Sequence, residues 1–271
     1  MLELALCNWA MNFVAKRGYT AVSTPDIARQ SVVEACGFQP RDASSQVYHL
    51  RTHGHHGVRT QDEECLIGTA EIPLAGMYAN EVLRREALPA KMVAYSHCFR
   101  KEAGKGEHSK GLYRLHQFSK VEMFALTHGD QKSSDAALEE MVSIQTEIVK
   151  QLGFTYRVLD MATEELGAAA FRKYDIEAWM PSRRGYGEIS SASNCTSYQS
   201  RRLNICYLDH QNDKKLVHTV NGTALAVPRI IQTLLETHYD AERDRVEIPE
   251  CLHPWLPFTA IEEHRNSLIL K

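Results

Sequence analysis

Residues 92–124 read MVAYSHCFRKEAGKGEHSKGLYRLHQFSKVEMF, and this stretch decides the fold. Met92 to Phe99 and Arg114 to Phe124 are both β-prone, and AGKGEHSKG (103–111) between them is rich in Gly and Lys. Two strands joined by such a tip predict an antiparallel hairpin with an unusually long loop. Side chains alternate along a strand, so Arg114, His116, Phe118 and Lys120 share one face, opposite Leu115, Gln117, Ser119 and Val121. Glu122 has the parity of Phe118. Arg100 and Glu102, two apart where the first strand ends, likewise project a cation and a carboxylate into one space. An Arg there can grip a phosphate or carboxylate through two bonds, and an aromatic such as Phe118 can stack on a base. Taken singly, an exposed ion pair and a lone Phe are ordinary surface and core features.

Outward from the hairpin, Leu2 to Arg17 carries Leu2, Leu6, Trp9, Ala10, Phe13 and Val14 at helical spacing. Gly18 suits its C-terminal cap, and Tyr19 to Thr24 is β-prone before Pro25. Arg51 to Glu64 is a polar, His-rich loop, and Thr69 to Arg85 reads as a helix after a short strand. Downstream, Ser134 to Leu152 is amphipathic and is stopped by Gly153. Further strands are expected at Thr155 to Leu159, Lys173 to Met180, Tyr186 to Ser190 and Leu216 to Val220. Asn221 and Gly222 read as a turn, Thr223 as an N-cap, and Ala224 to Thr237 as a helix. Strands in runs with helices interposed, without βαβ alternation, predict an α+β fold: an antiparallel β-sheet flanked by helices. One domain is expected over residues 1–271, with a loosely held tail from about 257 to 271.

The 271 residues are 44% hydrophobic, enough for one substantial core. A formal net charge of -3 gives no strong whole-chain footprint for nucleic acid. No apolar run is long enough to span a bilayer, and MLELALCNWAMNF lacks the basic start of a signal peptide. The seven cysteines are scattered without a CxxC pair, which suits free thiols in a reducing compartment. His49, His53, His55 and His56 with Cys65 lack zinc-ligand spacing.

Two more segments carry chemistry. In GEISSASN (187–194), a carboxylate at Glu188 precedes hydroxyls at Ser190, Ser191 and Ser193. Such a set suits Mg²⁺ shared with phosphates, or a polar turn that caps a helix. In NGTALAVPRIIQTLLE (221–236), Arg229 follows Pro228 in the first turns of a helix, where it can reach an anion or stack on a base. Pro is costly in a helix interior, so this helix start has a special shape.

The ordered set GTAEIPLAG (68–76), FRKEAG (99–104), GLYRLHQFSKVEMF (111–124), YDIEAWMPSRRGYGEISSASNCTSYQSRRLNI (174–205) and NGTALAVPR (221–229) resembles the class II aminoacyl-tRNA synthetases, and within them the seryl enzymes. The resemblance runs from about Leu2 to Leu256. It implies that Leu2 to Pro25 is the first class motif, which builds a homodimer interface, and that the hairpin and the segment from Thr223 are the second and third. It implies that Arg100 and Arg229 are catalytic, with Arg100 joining the ATP α-phosphate to the substrate carboxylate. Glu102 would meet the adenine amino group, main-chain groups near Leu115 would bind adenine, and Phe118 and Arg229 would stack on its two faces. Glu188, Ile189, Ser190 and Ser191 would complete the ATP site, with Mg²⁺ on Glu188 and Ser191. L-Serine would lie among Thr69, Ala70, Glu71, Arg100, Glu122, Asn221 and Thr223, with Glu71 and Glu122 suiting its ammonium, Thr223 its hydroxyl and Arg100 its carboxylate. A site that hydrogen-bonds a hydroxyl rejects analogues lacking it by ~10⁴–10⁵.

The implied activity is serine–tRNA ligation through seryl-adenylate, with ATP and Mg²⁺ required and no zinc expected. The partners would be L-serine and tRNA(Ser), and no membrane. The family's N-terminal helical arm is expected to be absent, since the chain starts in the first motif, and tRNA charging to be weak. GFQP (37–40), SQVYHL (45–50) and CFRKEAGKGEHSKGLYRLHQF (98–118) look most like the animal mitochondrial form. The expected location is the mitochondrial matrix, with the cytoplasm as alternative. Lys101, Lys105 and Lys110 are candidates for phosphate or acceptor-end contact. The competing readings are a non-catalytic paralogue acting as a binding or structural module, and another small-molecule ligase on the same fold.

Overall fold

The computed structural model describes residues 1–38, 47–50, 63–101, 112 and 115–262. The hairpin strands are the centre of a seven-stranded sheet. Its strands are β1 (Thr20–Ser23), β2 (Ala90–Phe99), β3 (Gln117–Thr127), β4 (Tyr156–Asp160), β5 (Arg172–Met180), β6 (Gly185–Thr196) and β7 (His218–Ala226). The spatial order is β1-β2-β3-β7-β6-β5-β4. Only β1 runs parallel to its neighbour within this sheet; every other adjacent pair is antiparallel. The observed class is therefore α+β with an antiparallel-rich sheet and flanking helices. The tip of the hairpin, Glu102 and Arg114 included, lies outside the described residues.

The face alternation of β3 divides the molecule. Val121, Met123 and Ala125 pack on one side against α1 (Leu2–Ala15), α4 (Gln131–Gln151) and α6 (Val227–Thr237). Phe124 and Leu126 pack on the other against α2 (Gln30–Ala35), α3 (Glu71–Gly76) and α5 (Tyr198–Leu203). On that second face Phe118, Lys120 and Glu122 line an open cleft beyond the end of the apolar packing. The α4 helix begins where Asp130 accepts a hydrogen bond from Ser133 N at 2.8 Å, an N-cap that satisfies an otherwise orphan donor. It ends at Gly153, whose φ of +74° suits a residue without Cβ.

Several expectations need correction. Thr69 to Arg85 is not one helix: α3 covers only Glu71–Gly76, and Asn80 takes a left-handed φ of 65°. Val82–Leu83 then pairs with Cys206–Tyr207, so sheet pairing claims residues that helical periodicity assigned elsewhere. Asn221–Thr223 is not a turn and N-cap. These residues lie inside β7, hydrogen-bonded between β3 and β6, and the cap of α6 is Ala226. Pro228 sits at the second helical position, where its missing N–H costs nothing. Tyr186 to Ser190 is part of a strand reaching Thr196, so GEISSASN is strand, not a capping turn. The tail is held as far as Glu262, because Ala260–Glu262 pairs with Arg245–Glu247; residues 263–271 lie outside the described part. Among the described residues no helix is long and apolar enough to cross a membrane.

Gly222 lies in a strand for a packing reason. A Cβ there would lie 3.2 Å from Met141 Sδ, 3.3 Å from Ala192 Cβ and 3.3 Å from Gln145 Nε2. The missing side chain lets α4 settle on the sheet beneath the cleft. Gly222→Ala is expected to lower unfolding stability by about 1–3 kcal/mol through crowding, measured by denaturant unfolding. A stability gain, as strand entropy alone would give, would contradict this packing account.

Candidate active site

The cleft is a cavity of about 710 Å³ in which three groups of side chains converge. The first comes from β3 and β7. Glu122 and Thr223 are direct cross-strand partners, and Thr223 Oγ1 donates to Glu122 Oε2 at 3.0 Å. Lys120 Nζ lies 2.8 Å from the same carboxylate oxygen and 3.5 Å from Thr223 Oγ1. Both members of this ion pair are buried. The main chain beneath is fixed: Thr223 O accepts from Gln145 Nε2 at 2.9 Å and from the Ser190 hydroxyl. Gln145 Nε2 also donates to Ser191 O at 2.7 Å, tying β6 to β7 from the α4 side.

The second group opens α3. Glu71 is its first residue, and burial pushes its carboxyl up to about 7. The negative charge of Glu122 adds to the shift, while the hydrogen bond donated by Gln199, the charge of Lys120 and the hydrogen bond of Asn221 oppose it. Thr69 precedes it and lines the same cleft. Cys36 and Cys195 lie nearby, and burial, followed by the charge of Glu71, holds both thiols well above their usual range. They are protonated and chemically quiet.

The third group is at the other end. Arg100 follows β2; its main-chain N–H donates to His116 O at 3.0 Å, which closes the base of the hairpin. Its Nε and Nη2 both reach Gly68 O at 3.4 Å, and its guanidinium lies 5.3 Å from the Phe118 ring centre. Arg229 donates from Nη1 to Glu188 O at 3.0 Å and pairs with the Glu188 carboxylate at 3.3 Å. The β6 strand carries an irregularity between Glu188 and Ser190, which re-aims the strand beside a site. One end is thus aromatic and cationic, the other small and polar with two carboxylates and an ammonium.

Most residues singled out in the sequence line this one cleft: Thr69, Glu71, Arg100, Leu115, Phe118, Glu122, Glu188, Ser191, Asn221, Thr223 and Arg229. Ile189 and Ser190 border it, but the Ile189 side chain belongs to the apolar core and the Ser190 hydroxyl is committed to Thr223 O. Ala70 is fully buried in the second core cluster. Glu102, His53, His55, His56, Lys105 and Lys110 lie outside the described residues. Lys101 Nζ sits 5.5 Å from the centre of the Tyr48 ring, away from the cleft lining. Cys65 Sγ contacts His49 Nδ1 at 3.5 Å. Sequence reasoning missed two participants. Lys120 was legible by parity alone, lying between Phe118 and Glu122. Gln199 left no signal, because it meets Glu71 across 128 residues of chain.

The model for the tRNA synthetase class II core domain (G, H, P, S and T) matches residues 53–238. The serine–tRNA ligase of Treponema denticola is 46% identical over 263 residues, covering 96% of this chain and 60% of that protein. That of Rubrobacter xylanophilus is 47% identical over 257 residues, covering 94% and 58%. The crystal structure of seryl-tRNA synthetase from Pyrococcus horikoshii complexed with ATP superposes with a TM-score of 0.86 at 38% identity, over 96% of this chain and 56% of that one. The chain thus spans about three fifths of the length of the curated relatives it matches.

Glu71 carries a measurable consequence. Its folded-state value of about 7 exceeds the ordinary 4.5, so the folded protein binds more protons than the unfolded chain between those values. Its contribution to stability is fully present below about pH 4.5 and is lost as pH rises through about 7. Relative to parent, Glu71→Gln should gain stability across this window, on the order of a few kcal/mol, and the gain should level off above pH 8. Denaturant unfolding of both proteins against pH checks this; a pH-independent difference would contradict it.

Proposed function

Because the chain belongs to the tRNA synthetase class II core family, we propose that it is the catalytic part of a serine–tRNA ligase, joining L-serine to ATP and then to tRNA(Ser). The single observation that carries the choice of serine is the Glu122–Thr223–Lys120 cluster, a buried set of hydroxyl-bonding groups beside a second carboxylate at Glu71. ATP as the second substrate is supported by the Phe118, Arg100 and Arg229 end of the cleft. The likeness to a synthetase crystallised with ATP supports it too.

In this reading Glu71 receives the serine ammonium; Glu122, expected from the resemblance to share that ammonium, is bonded to the Thr223 hydroxyl instead and with it receives the serine hydroxyl. Arg100, already bonded beside Thr69 at Gly68 O, holds the serine carboxylate against the α-phosphate. The carboxylate attacks the α-phosphorus and pyrophosphate leaves; the terminal hydroxyl of tRNA then attacks the carbonyl of the seryl-adenylate, and the anhydride bond breaks to release AMP. The cleft contributes positioning and charge neutralisation, with no protein nucleophile needed. Phe118 and Arg229 stack on adenine. Glu188 and Ser191 fit Mg²⁺ by donor chemistry, being oxygen donors with a single carboxylate; the ion would neutralise phosphate charge. Pairing of two copies through Leu2–Pro25 is part of the proposal, supported by the outward Leu4 of α1, 63% exposed. So is the mitochondrial matrix, on the likeness of residues 37–40, 45–50 and 98–118 to the animal mitochondrial form, with the cytoplasm as alternative.

ATP–pyrophosphate exchange with the pure protein is expected with L-serine and Mg²⁺. Alanine should fall by about 10²-fold or more, since it has no hydroxyl to bond Glu122 and Thr223. Threonine should be excluded by volume. Arg100→Ala should lower exchange by about 10²-fold or more. No serine-dependent exchange, or equal rates with alanine, would contradict the proposal.

A further inference from the structure

Lys120 has no part in the steps proposed for serine and ATP, although its ammonium is buried 2.8 Å from Glu122 and 3.5 Å from Thr223 Oγ1, beside the groups assigned to the serine hydroxyl. A lysine placed only to balance a carboxylate has no need to border a substrate hydroxyl. Among the described residues, the charged groups gathered around Thr223 are Lys120 and Glu122, with Glu71 beside them; of the other charged residues in the cleft lining on this side, Lys173 is balanced by Asp175 at 2.8 Å and Glu165 is exposed, while the Cys36 and Cys195 thiols are neutral. Arg100 lies toward the nucleotide end on Gly68 O and answers the ligand's carboxylate. Two carboxylates and one ammonium leave one negative charge unmatched when Glu71 is ionised. A ligand with one ammonium completes the balance.

We propose that Lys120 is a specificity-determining residue: by neutralising Glu122 from beside the hydroxyl-bonding groups, it restricts the pocket to amino acids whose small side chain is uncharged. The inference rests on the serine reading and extends it to a class of competitor that volume cannot reject. L-2,3-Diaminopropionate has the size of serine with an amine in place of the hydroxyl. Lys120 Nζ lies 3.5 Å from Thr223 Oγ1, so a side-chain ammonium bonded there would stand beside the Lys120 ammonium, and at low dielectric such like charges repel strongly. Alanine merely leaves the hydroxyl-bonding groups without a ligand. Rejection by a built-in like charge is a recognised route to specificity.

The test is ATP–pyrophosphate exchange by the full chain with serine, alanine and L-2,3-diaminopropionate, for the parent and for Lys120→Met. The parent should use diaminopropionate less well than alanine. Lys120→Met should lower kcat/KM for serine by roughly 30-fold or more, because Glu122 loses its partner. The same change should raise the diaminopropionate-to-serine ratio by roughly 100-fold, as the ligand's ammonium takes the vacated place. A Lys120 with only a structural role would lower serine use with no such gain, so an unchanged ratio in a folded variant overturns the proposal. Parent exchange with diaminopropionate at or above the alanine rate overturns it without any variant, which covers a Lys120→Met protein that does not fold. Absence of serine-dependent exchange in the parent contradicts the proposed function itself.

Discussion

Lys120 and Glu122 bury opposite charges on neighbouring same-face positions of β3, and the surrounding structure is arranged around keeping that pair satisfied. Removing two charges from water costs several kcal/mol per ion, repaid only where geometry is close and the remaining polar atoms are bonded. Thr223 supplies the next bond, from its hydroxyl to Glu122. It can do so because β7 lies beside β3 with Thr223 opposite Glu122. Its own carbonyl is held by Gln145 and Ser190. Glu71 then enters as a second carboxylate beside the pair, and the repulsion it meets is part of why its proton is held so firmly.

The scaffold below explains why this cluster holds its shape. Gly222 gives α4 room to approach, and Gln145 reaches through that gap to bond the main chains of β6 and β7 together. One helix face therefore fixes two strands at the positions where both change register. The opposite face of the sheet is left to the cleft, with its apolar packing ending at Phe124 and its polar lining starting at Glu122. A two-residue step along one strand separates core from site.

Much of this was readable before any coordinates. The alternation in QFSKVEMF places Phe118 and Glu122 on one face because a strand repeats every two residues, and both line the cleft. Arg100 was placed by its position at a strand end. Glu188 and Arg229 stand out by local chemistry, a carboxylate before hydroxyls and an arginine at a helix start, whereas Glu71 and the ligand role of Thr223 come from resemblance alone. What misled was local chemistry: Asn-Gly is a turn signal, yet at 221–222 tertiary packing around Met141 and Gln145 overrides it. Likewise Thr69 to Arg85 is helical by periodicity, but pairing of Val82–Leu83 with a strand more than 120 residues away ends it early. Gln199 was invisible because its partner is remote in sequence.

Charge decides ligand binding here: burial and Glu122 hold the Glu71 carboxyl at about 7, and a ligand ammonium beside it displaces its proton. Calorimetric titration of L-serine into the protein at pH 7, repeated in buffers of different protonation enthalpy, counts protons exchanged on binding. Roughly half a proton should be released per site, as a carboxyl with a value of about 7 becomes fully ionised beside the ammonium. Binding with no proton release, or with proton uptake, would contradict the assignment of Glu71 as the ammonium's partner.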